Sequence, residues 1–400
     1  MRPGPPPALP PSTVTLLAVA AALLIATLYF EQPIARLVIH DLHLPLRWAG
    51  LLATLPLAGY GLGLLLAVPL GDMLENRRLI LAMSGAEVVI LLLLAWAPRA
   101  DLFLGFGMLA GLAASAIQVI LPYASRFFAG EAQGRAVARI VSGIMLGILV
   151  ARPAASFTAQ IAPWRTIYVI AAGFMAATVL LLALRLPPRS PDARQTYGRL
   201  LASMPGIFRG SELLRRRAFY QSAMFGAFIS FWTAAPLWLS QAPFNLSQGG
   251  IAWVALAGVA GAAAPPIATR LVDRGLGRVT TRASMILAIA AFGVSLLAAR
   301  TGVLAVVIAA VLLDAAAASN LVVGQRAVYG APPEVRSRMT ALFIATFFAA
   351  GAASSAIAAW SFVAFGWIGV ATFGAALPAV ALLYALTEAP TAPVERSPGA

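Results

Sequence analysis

Apolar runs, each about as long as a helix that crosses a bilayer, follow one another from residue 13 to residue 387. A hydrocarbon core ~30 Å thick is spanned by ~20 helical residues. Twelve runs of that kind are read at 13–36, 47–70, 78–97, 101–123, 138–160 and 164–186, then at 218–241, 250–269, 280–299, 302–324, 338–361 and 366–387. Only 10% of the 400 residues are charged and 61% are hydrophobic, against ~25% charged in an ordinary soluble domain. Too little charge remains to clothe a folded body in water, so lipid must face most of the surface. Gly59, Gly61, Gly63, Pro265 and Pro266 fall inside runs. Membrane helices tolerate them, because small residues let backbones approach and neighbours re-satisfy freed carbonyls. The first run follows the stretch from Pro3 to Pro11 and is long enough to span, so it reads as a first membrane helix rather than a cleaved leader. The expected fold class is an all-α membrane protein of twelve transmembrane helices.

The charges that do occur are placed by side. The basic residues are all arginine, and the net charge is +14. Counted by alternate loops, 22 arginines fall on one side, 5 on the other, and Arg152 lies within a run. Positive loops stay in the cytoplasm, which puts both termini there and predicts a multi-pass protein of the bacterial inner membrane. The basic residues are spread over short loops instead of forming a basic domain, so the anionic leaflet is the expected partner and nucleic acid is not. Cysteine is absent, and His40 and His43 share one loop. That leaves no thiolate site and too few ligands for zinc, so no metal and no cofactor are expected.

Unusual residues recur at one offset. Asp72 and Asp273, Arg77 and Arg278, and Arg135 and Arg336 are each separated by 201 residues. Trp164 and Trp367, and Pro33 and Pro236, are each separated by 203. Transporter folds are often built from duplicated halves. The chain therefore reads as two pseudo-symmetric six-helix halves, 1–186 and 218–400, joined by a basic linker at 187–217. The linker holds Arg189, Arg194, Arg199, Arg209, Arg215, Arg216 and Arg217, which suits a segment held at an anionic leaflet, or else a regulatory site.

The run Pro69-Leu70-Gly71-Asp72-Met73-Leu74-Glu75-Asn76-Arg77-Arg78 resembles the loop signature between helices two and three of the major facilitator superfamily. A second copy stands at Arg270-Leu271-Val272-Asp273-Arg274-Gly275-Leu276-Gly277-Arg278. Pro332-Pro333-Glu334-Val335-Arg336-Ser337-Arg338, with Asp314, Gln325 and Gly366-Trp367, looks like the sugar and drug efflux permease branch, as does Tyr29-Phe30-Glu31-Gln32-Pro33. The sequence departs from that pattern at Val68 and Glu75, where the family usually has glycine. It departs again at Gly107, where many proton-coupled members carry an arginine. Arg152-Pro153-Ala154-Ala155-Ser156 is the nearest match to the helix-five motif of antiporters. The resemblance thus implies transport by the major facilitator fold more firmly than export by proton exchange.

Ionisable residues at bilayer depth usually face a cavity or a partner, since a charge there costs at least ~2.5–3.5 kcal/mol. Glu31, Glu87, Arg152 and Asp314 are of this kind and are the candidates for proton coupling. Glu31 stands beside Pro33, which breaks a helix, and Arg152 beside Pro153. In the resembling fold helices one and five border the central cavity, which implies a Glu31–Arg152 pair that opens and closes to release and take up a proton; a static ion pair is the alternative. Glu87, on a helix that the resemblance makes peripheral, is the weaker candidate. Tyr29, Gln32, Phe231, Trp232, Asn320 and Gln325 are the candidate substrate-cavity residues, though packing and helix–helix hydrogen bonds also use such side chains. Asp72, Arg77, Arg78, Asp273, Arg278 and Arg336 are the candidate gating residues, pairing at the cytoplasmic ends, against a plainer role as surface anchors.

The expected function is secondary active transport of a small molecule by alternating access, as a monomer, through proton-coupled efflux. Uptake or facilitated transport of a sugar or other metabolite is the second expectation, and a non-transporting receptor or assembly factor the third. A membrane enzyme would need clustered histidines, acids or metal ligands within the spans, which this sequence does not offer. No Walker-type phosphate loop marks a nucleotide-driven pump.

Overall fold

The structure, a computed structural model, describes residues 9–190 and 196–388. Arg2, Arg194 and Arg396 of the arginine tally lie outside the described residues. Among the described residues all regular structure is helical. Among the described residues, eleven helices are long and apolar enough to cross a membrane. The last of these, Val335–Leu386, has 52 residues. At 1.5 Å per residue it would be more than twice as long as the hydrocarbon core is thick. It does not run straight: Gly366 has φ 61 and ψ −155, a backbone open to glycine alone. The chain turns back there and yields two crossings, so the expected count of twelve is met.

The spans are numbered here in chain order. Span 1 is broken into Pro11–Ala26, a 3-10 turn at Thr27–Tyr29, and Glu31–Asp41. Spans 2 and 3 are Leu51–Gly71 and Asn76–Trp96. Span 4 is broken into Ala100–Ala114 and Ile117–Ser125. Spans 5 and 6 are Gly130–Ile161 and Thr166–Arg185. A separate helix, Tyr197–Gly210, occupies the joining segment. Span 7 is Glu212–Leu239, so Arg215, Arg216 and Arg217 ride on its first turns instead of on a loose linker. Span 8 is broken into Gln248–Gly258, a 3-10 stretch at Val259–Ala263, and Ala264–Asp273. Spans 9 and 10 are Gly277–Leu296 and Val303–Tyr329, and spans 11 and 12 lie before and after Gly366.

Within the first six spans, 1 packs on 5 and 6, 2 on 4, and 3 on 4 and 6. Within the last six, 7 packs on 10 and on the spans 11–12 helix, and 9 on 10 and on that same helix. Between the two groups the contacts run from span 2 to the spans 11–12 helix, from span 5 to the first piece of span 8, and from the second piece of span 1 to span 7. Glycine makes these approaches close. A Cβ on Gly50 would stand 2.7 Å from the Ser355 carbonyl oxygen. At that end Thr54 Oγ1 donates to the Ala352 carbonyl (2.8 Å) and Ser355 Oγ to the Gly50 carbonyl (3.0 Å). Ser156 Oγ donates to the Gln248 carbonyl (2.9 Å), and the Gly249 N–H donates to Gln160 Oε1 (2.7 Å). Arg36 donates to the Ser240 carbonyl. The end of the bundle opposite the chain termini, here the far end, is thereby sealed between the two groups.

At the terminal end the two groups meet largely through the joining helix. Arg338 Nη1 donates to Ser203 Oγ (2.7 Å), and Tyr197 Oη donates to the Leu66 carbonyl (3.3 Å). The sealed far end and the bridged terminal end frame what lies between them.

Candidate functional site

Span 1 breaks where its sequence requires it. Pro33 has no N–H to give the carbonyl four residues back, that of Tyr29, and the helix loosens into the Thr27–Tyr29 turn. Span 8 breaks ahead of Pro265 and Pro266 for the same reason. The two breaks face spans 5 and 10, and the polar side chains at bilayer depth gather between them.

Arg152 is 4% exposed, on unbroken span 5. Its Nε donates to Gln32 Oε1 at 2.7 Å. The rings of Tyr29, Phe228 and Trp232 surround its Cζ at 4.7, 4.9 and 4.9 Å. Each ring offers a negative π-face worth ~0.5–2 kcal/mol to a desolvated cation. Trp232 Nε1 donates to Asp314 Oδ1 at 2.9 Å, and Asp314 lies within electrostatic reach of Arg152. Gly258, where the first piece of span 8 ends, and Gly261, in the 3-10 stretch that follows, clear space for Asp314. A Cβ on Gly258 would come 3.0 Å from Asp314 Oδ2, and one on Gly261 would come 2.7 Å from Asp314 Cβ. One cation, one amide, three rings and one carboxyl thus join spans 1 and 5 to spans 7 and 10. Arg152 Nη2 and Gln32 Nε2 are buried donors without an acceptor among the described residues.

The Glu31–Arg152 pair is not formed. Adjacent residues on a helix point ~100° apart, so only one of Glu31 and Gln32 can face span 5, and Gln32 does. Glu31 turns into the first six spans, where its Oε1 accepts from Tyr168 Oη at 3.2 Å and its Oε2 has no partner. Glu87 sits within electrostatic reach of Glu31, fully buried beside the Thr27 hydroxyl, and among the described residues no cation pairs with it. Thr27, on the same stretch of span 1, turns its hydroxyl to the Leu24 carbonyl (2.8 Å). Span 3 is peripheral as a helix, but its Glu87 side chain points inward.

Of the expected cavity residues, Tyr29, Gln32 and Trp232 meet at Arg152. Phe231 does not: it packs edge-on against Trp367 (5.5 Å) and Phe292 (6.2 Å) inside the last six spans. Asn320 Nδ2 donates to Gln221 Oε1 at 2.8 Å, a buried bond between spans 10 and 7. Gln325 is half-buried further along span 10. Phe228 was not singled out from the sequence, although it stands four residues before Trp232 and therefore on the same helix face. Tyr168 and Gln221 carried no signal beyond being polar groups in apolar runs.

The candidate gating residues lie at the terminal end. Asp72 caps span 2, beside a cavity of about 50 Å³ lined by Gln118, Arg126, Arg189 and Ser337. Burial pushes its carboxyl above the usual range, and Arg126, Arg338 and Arg189 pull it back. Arg338 and Ser337 come from span 11, so Asp72 faces the other group. The remaining partners are nearer home. Arg77 Nη2 donates to the Ala183 carbonyl at the end of span 6 (2.7 Å). Arg78 pairs with Glu75 (3.4 Å), which also caps span 3. Asp273 pairs with Arg326, and Arg336 Nε donates to the Ala331 carbonyl (3.1 Å). Arg278 and Arg217 both reach Glu388, at 3.7 and 3.1 Å. Arg77 and Arg278 each stand second in their helix, directly after the loops that carry the repeated signature.

The family model described as Major Facilitator Superfamily matches residues 14–281. The chain is 33% identical over 375 residues to the uncharacterized transporter YgaY of Escherichia coli O157:H7, covering 94% of this chain and 95% of that one. It is 30% identical over 358 residues to the probable transporter SCO4007 of Streptomyces coelicolor, covering 89% of this chain and 82% of the relative. Its fold is similar to the crystal structure of a D-xylose-proton symporter, with a TM-score of 0.73 at 15% identity, over 95% of this chain and 98% of that one. Twelve crossings, two broken spans around a buried charged centre and a family match over most of the chain lead to one conclusion: this multi-pass membrane protein belongs to the major facilitator superfamily and is a transporter of that type.

Proposed function

We propose that the protein is a secondary active transporter that moves a small molecule across the bacterial inner membrane by alternating access, as a monomer, with both termini in the cytoplasm. Residues 1–186 and 218–400 are the two halves that rock, and 187–217 joins them. The observation that carries the reading is the Arg152 centre. Its partners come from both halves, so rocking one half against the other must take it apart and rebuild it. A group bound among Gln32, Arg152, Trp232 and Asp314 would therefore feel every change of state. With the termini inside, the sealed far end is the external side and the bridged terminal end the cytoplasmic one, with the Arg152 centre buried between them. Asp72, facing Arg126 and Arg338, is the contact that must tighten when the cytoplasmic side closes, with Arg77, Arg78, Asp273, Arg278 and Arg336 holding the helix ends around it.

Protons are the proposed coupling ion and efflux the proposed direction. The support is the number of embedded carboxyls. Asp314 stands at the centre, while Glu31 and Glu87 stand together in the first half with no cation paired to either. The test uses purified protein in proteoliposomes with an imposed pH gradient and a dye reporting the lumenal pH. Addition of a transported compound should dissipate the gradient in wild type and not in Arg152→Met. Gradient decay that does not respond to any compound, or that is equal in the two proteins, refutes coupled transport through this centre.

A further inference from the structure

The two donors at the centre that lack acceptors define what the site takes. Arg152 Nε and Gln32 Oε1 form one hydrogen bond. Arg152 Nη2 and Gln32 Nε2 each stand two covalent bonds from an atom of that hydrogen bond, and both are buried without an acceptor among the described residues. A buried donor without an acceptor is unfavourable, more so when charged. Two of them on groups joined by one hydrogen bond, one of them a cation, call for a ligand that accepts twice and carries negative charge. A carboxylate does both, with two oxygens on one carbon. The aromatic cage argues against the opposite charge. Tyr29, Phe228 and Trp232 already face the resident guanidinium, so a ligand cation would have to displace it. A sugar is also poorly served: many hydroxyls need many alternating donors and acceptors, and here the remaining surroundings are rings.

Those rings continue along one line. Phe228 stacks on Phe225 (5.9 Å), Phe225 meets Phe348 (4.9 Å), and Phe348 meets Tyr60 of the first half (4.4 Å). They form a buried file of rings from the cage toward the terminal end, tilted by 50° and 49° at the last two contacts and joining the two halves at the last pair.

We propose that the central site binds a small organic monocarboxylate with an aromatic body, its carboxylate accepting from Arg152 Nη2 and Gln32 Nε2 and its body packing against the Phe228–Phe225–Phe348–Tyr60 rings. This assignment rests on the transporter reading above. Asp314 then has a defined part: it competes with the ligand for the same guanidinium, and removing its charge favours the ligand.

The test is isothermal titration calorimetry on the purified full chain in detergent, with benzoate, phenylacetate and indole-3-acetate, their neutral amides, and benzylamine. At least one of the three carboxylates should bind. Its amide should bind at least ~10-fold more weakly, the loss expected for one charge-assisted hydrogen bond. Gln32→Glu keeps the side chain's shape but has no donor and supplies Arg152 with its own carboxylate, so it should abolish binding in a protein that still folds. Asp314→Asn should tighten binding several-fold. Amides binding as well as acids, preferential binding of benzylamine, unchanged affinity in Gln32→Glu, weakened affinity in Asp314→Asn, or no binding by any of the three carboxylates would each overturn the assignment. Counterflow of the labelled carboxylate in proteoliposomes separates the two claims. Binding without counterflow removes the transporter reading and leaves the site, whereas counterflow of a non-carboxylate with no carboxylate binding does the reverse.

Discussion

Substituting Arg152 by methionine removes the charge and keeps most of the side chain's length. Three contributions are lost with it: the bond to Gln32 at 2.7 Å, three ring contacts at 4.7 to 4.9 Å, and the attraction to Asp314. The charged hydrogen bond is worth ~1.5–3 kcal/mol and the three rings together roughly 1.5–6 kcal/mol. Relief of the guanidinium's own desolvation offsets part of this. What remains is dominated by Asp314, left at bilayer depth without its cation. Arg152 and Asp314 attract one another through space without an ion-pair contact among the described residues, so Arg152→Met should cost less than the ~3–5 kcal/mol of breaking a buried ion pair, about 2–3 kcal/mol. Asp314→Asn should cost about 1–3 kcal/mol, because Trp232 keeps an oxygen to donate to. The double variant should be less destabilised than the sum by about 1–3 kcal/mol, since the second substitution removes the charge that the first one stranded. Equilibrium unfolding in dodecylmaltoside with increasing SDS, run on all four proteins, measures the cycle. Additivity within ~0.5 kcal/mol would mean that the two charges do not interact across the halves, and the centre would lose its claim to sense their separation.

Three further outcomes are expected. Gly50→Val puts a side chain within 2.7 Å of the Ser355 carbonyl; overpacking of about 1–3 kcal/mol should shift the population roughly 5–150-fold away from the far-end-sealed state. The chain has no native cysteine, so spin-label pairs placed across that end can report the distance directly, and an unmoved distribution would refute the seal. Asp72→Asn should slow cycling while leaving ligand affinity unchanged. The raised Asp72 pKa has a definite sign: its contribution to stability is present below the unfolded value and is lost as pH rises through the folded one, so Asp72→Asn should flatten that fall in an unfolding titration. Glu31→Gln and Glu87→Gln should each alter the pH dependence of transport, and a profile identical to wild type in both would remove the pair from coupling.

Much of the fold was legible because bilayer and helix geometry leave few choices. Runs of ~20 apolar residues can only be spanning helices, and even the merged last pair was separable at Gly366-Trp367. The breaks in spans 1 and 8 were readable from Pro33 and from Pro265-Pro266, since the missing N–H acts on a known carbonyl four residues away. What was not legible was azimuth. Whether Glu31 or Gln32 faces span 5 is settled by a rotation of ~100°, and no run of apolar residues around them marks the inward side, because a helix that is greasy all round has no amphipathic face to read. The same blindness placed Phe231 in the cavity instead of Phe228.

That azimuthal choice has a chemical consequence. By presenting an amide to Arg152 and turning the neighbouring acid away, span 1 keeps the guanidinium unneutralised from its own half, so the nearest compensating charge is Asp314 of the other half. An acid at position 32 would have paired with Arg152 at once, and the pair would have stayed intact while the halves moved. With an amide there, the charge balance of the centre depends on the distance between the halves. Glu31 and Glu87, meanwhile, lie together within the first six spans, so the proposed rocking would not part them. The centre and the acid pair are thus suited to different tasks: one registers the relative position of the halves and the occupant between them, and the other can change its protonation without breaking a contact across the interface.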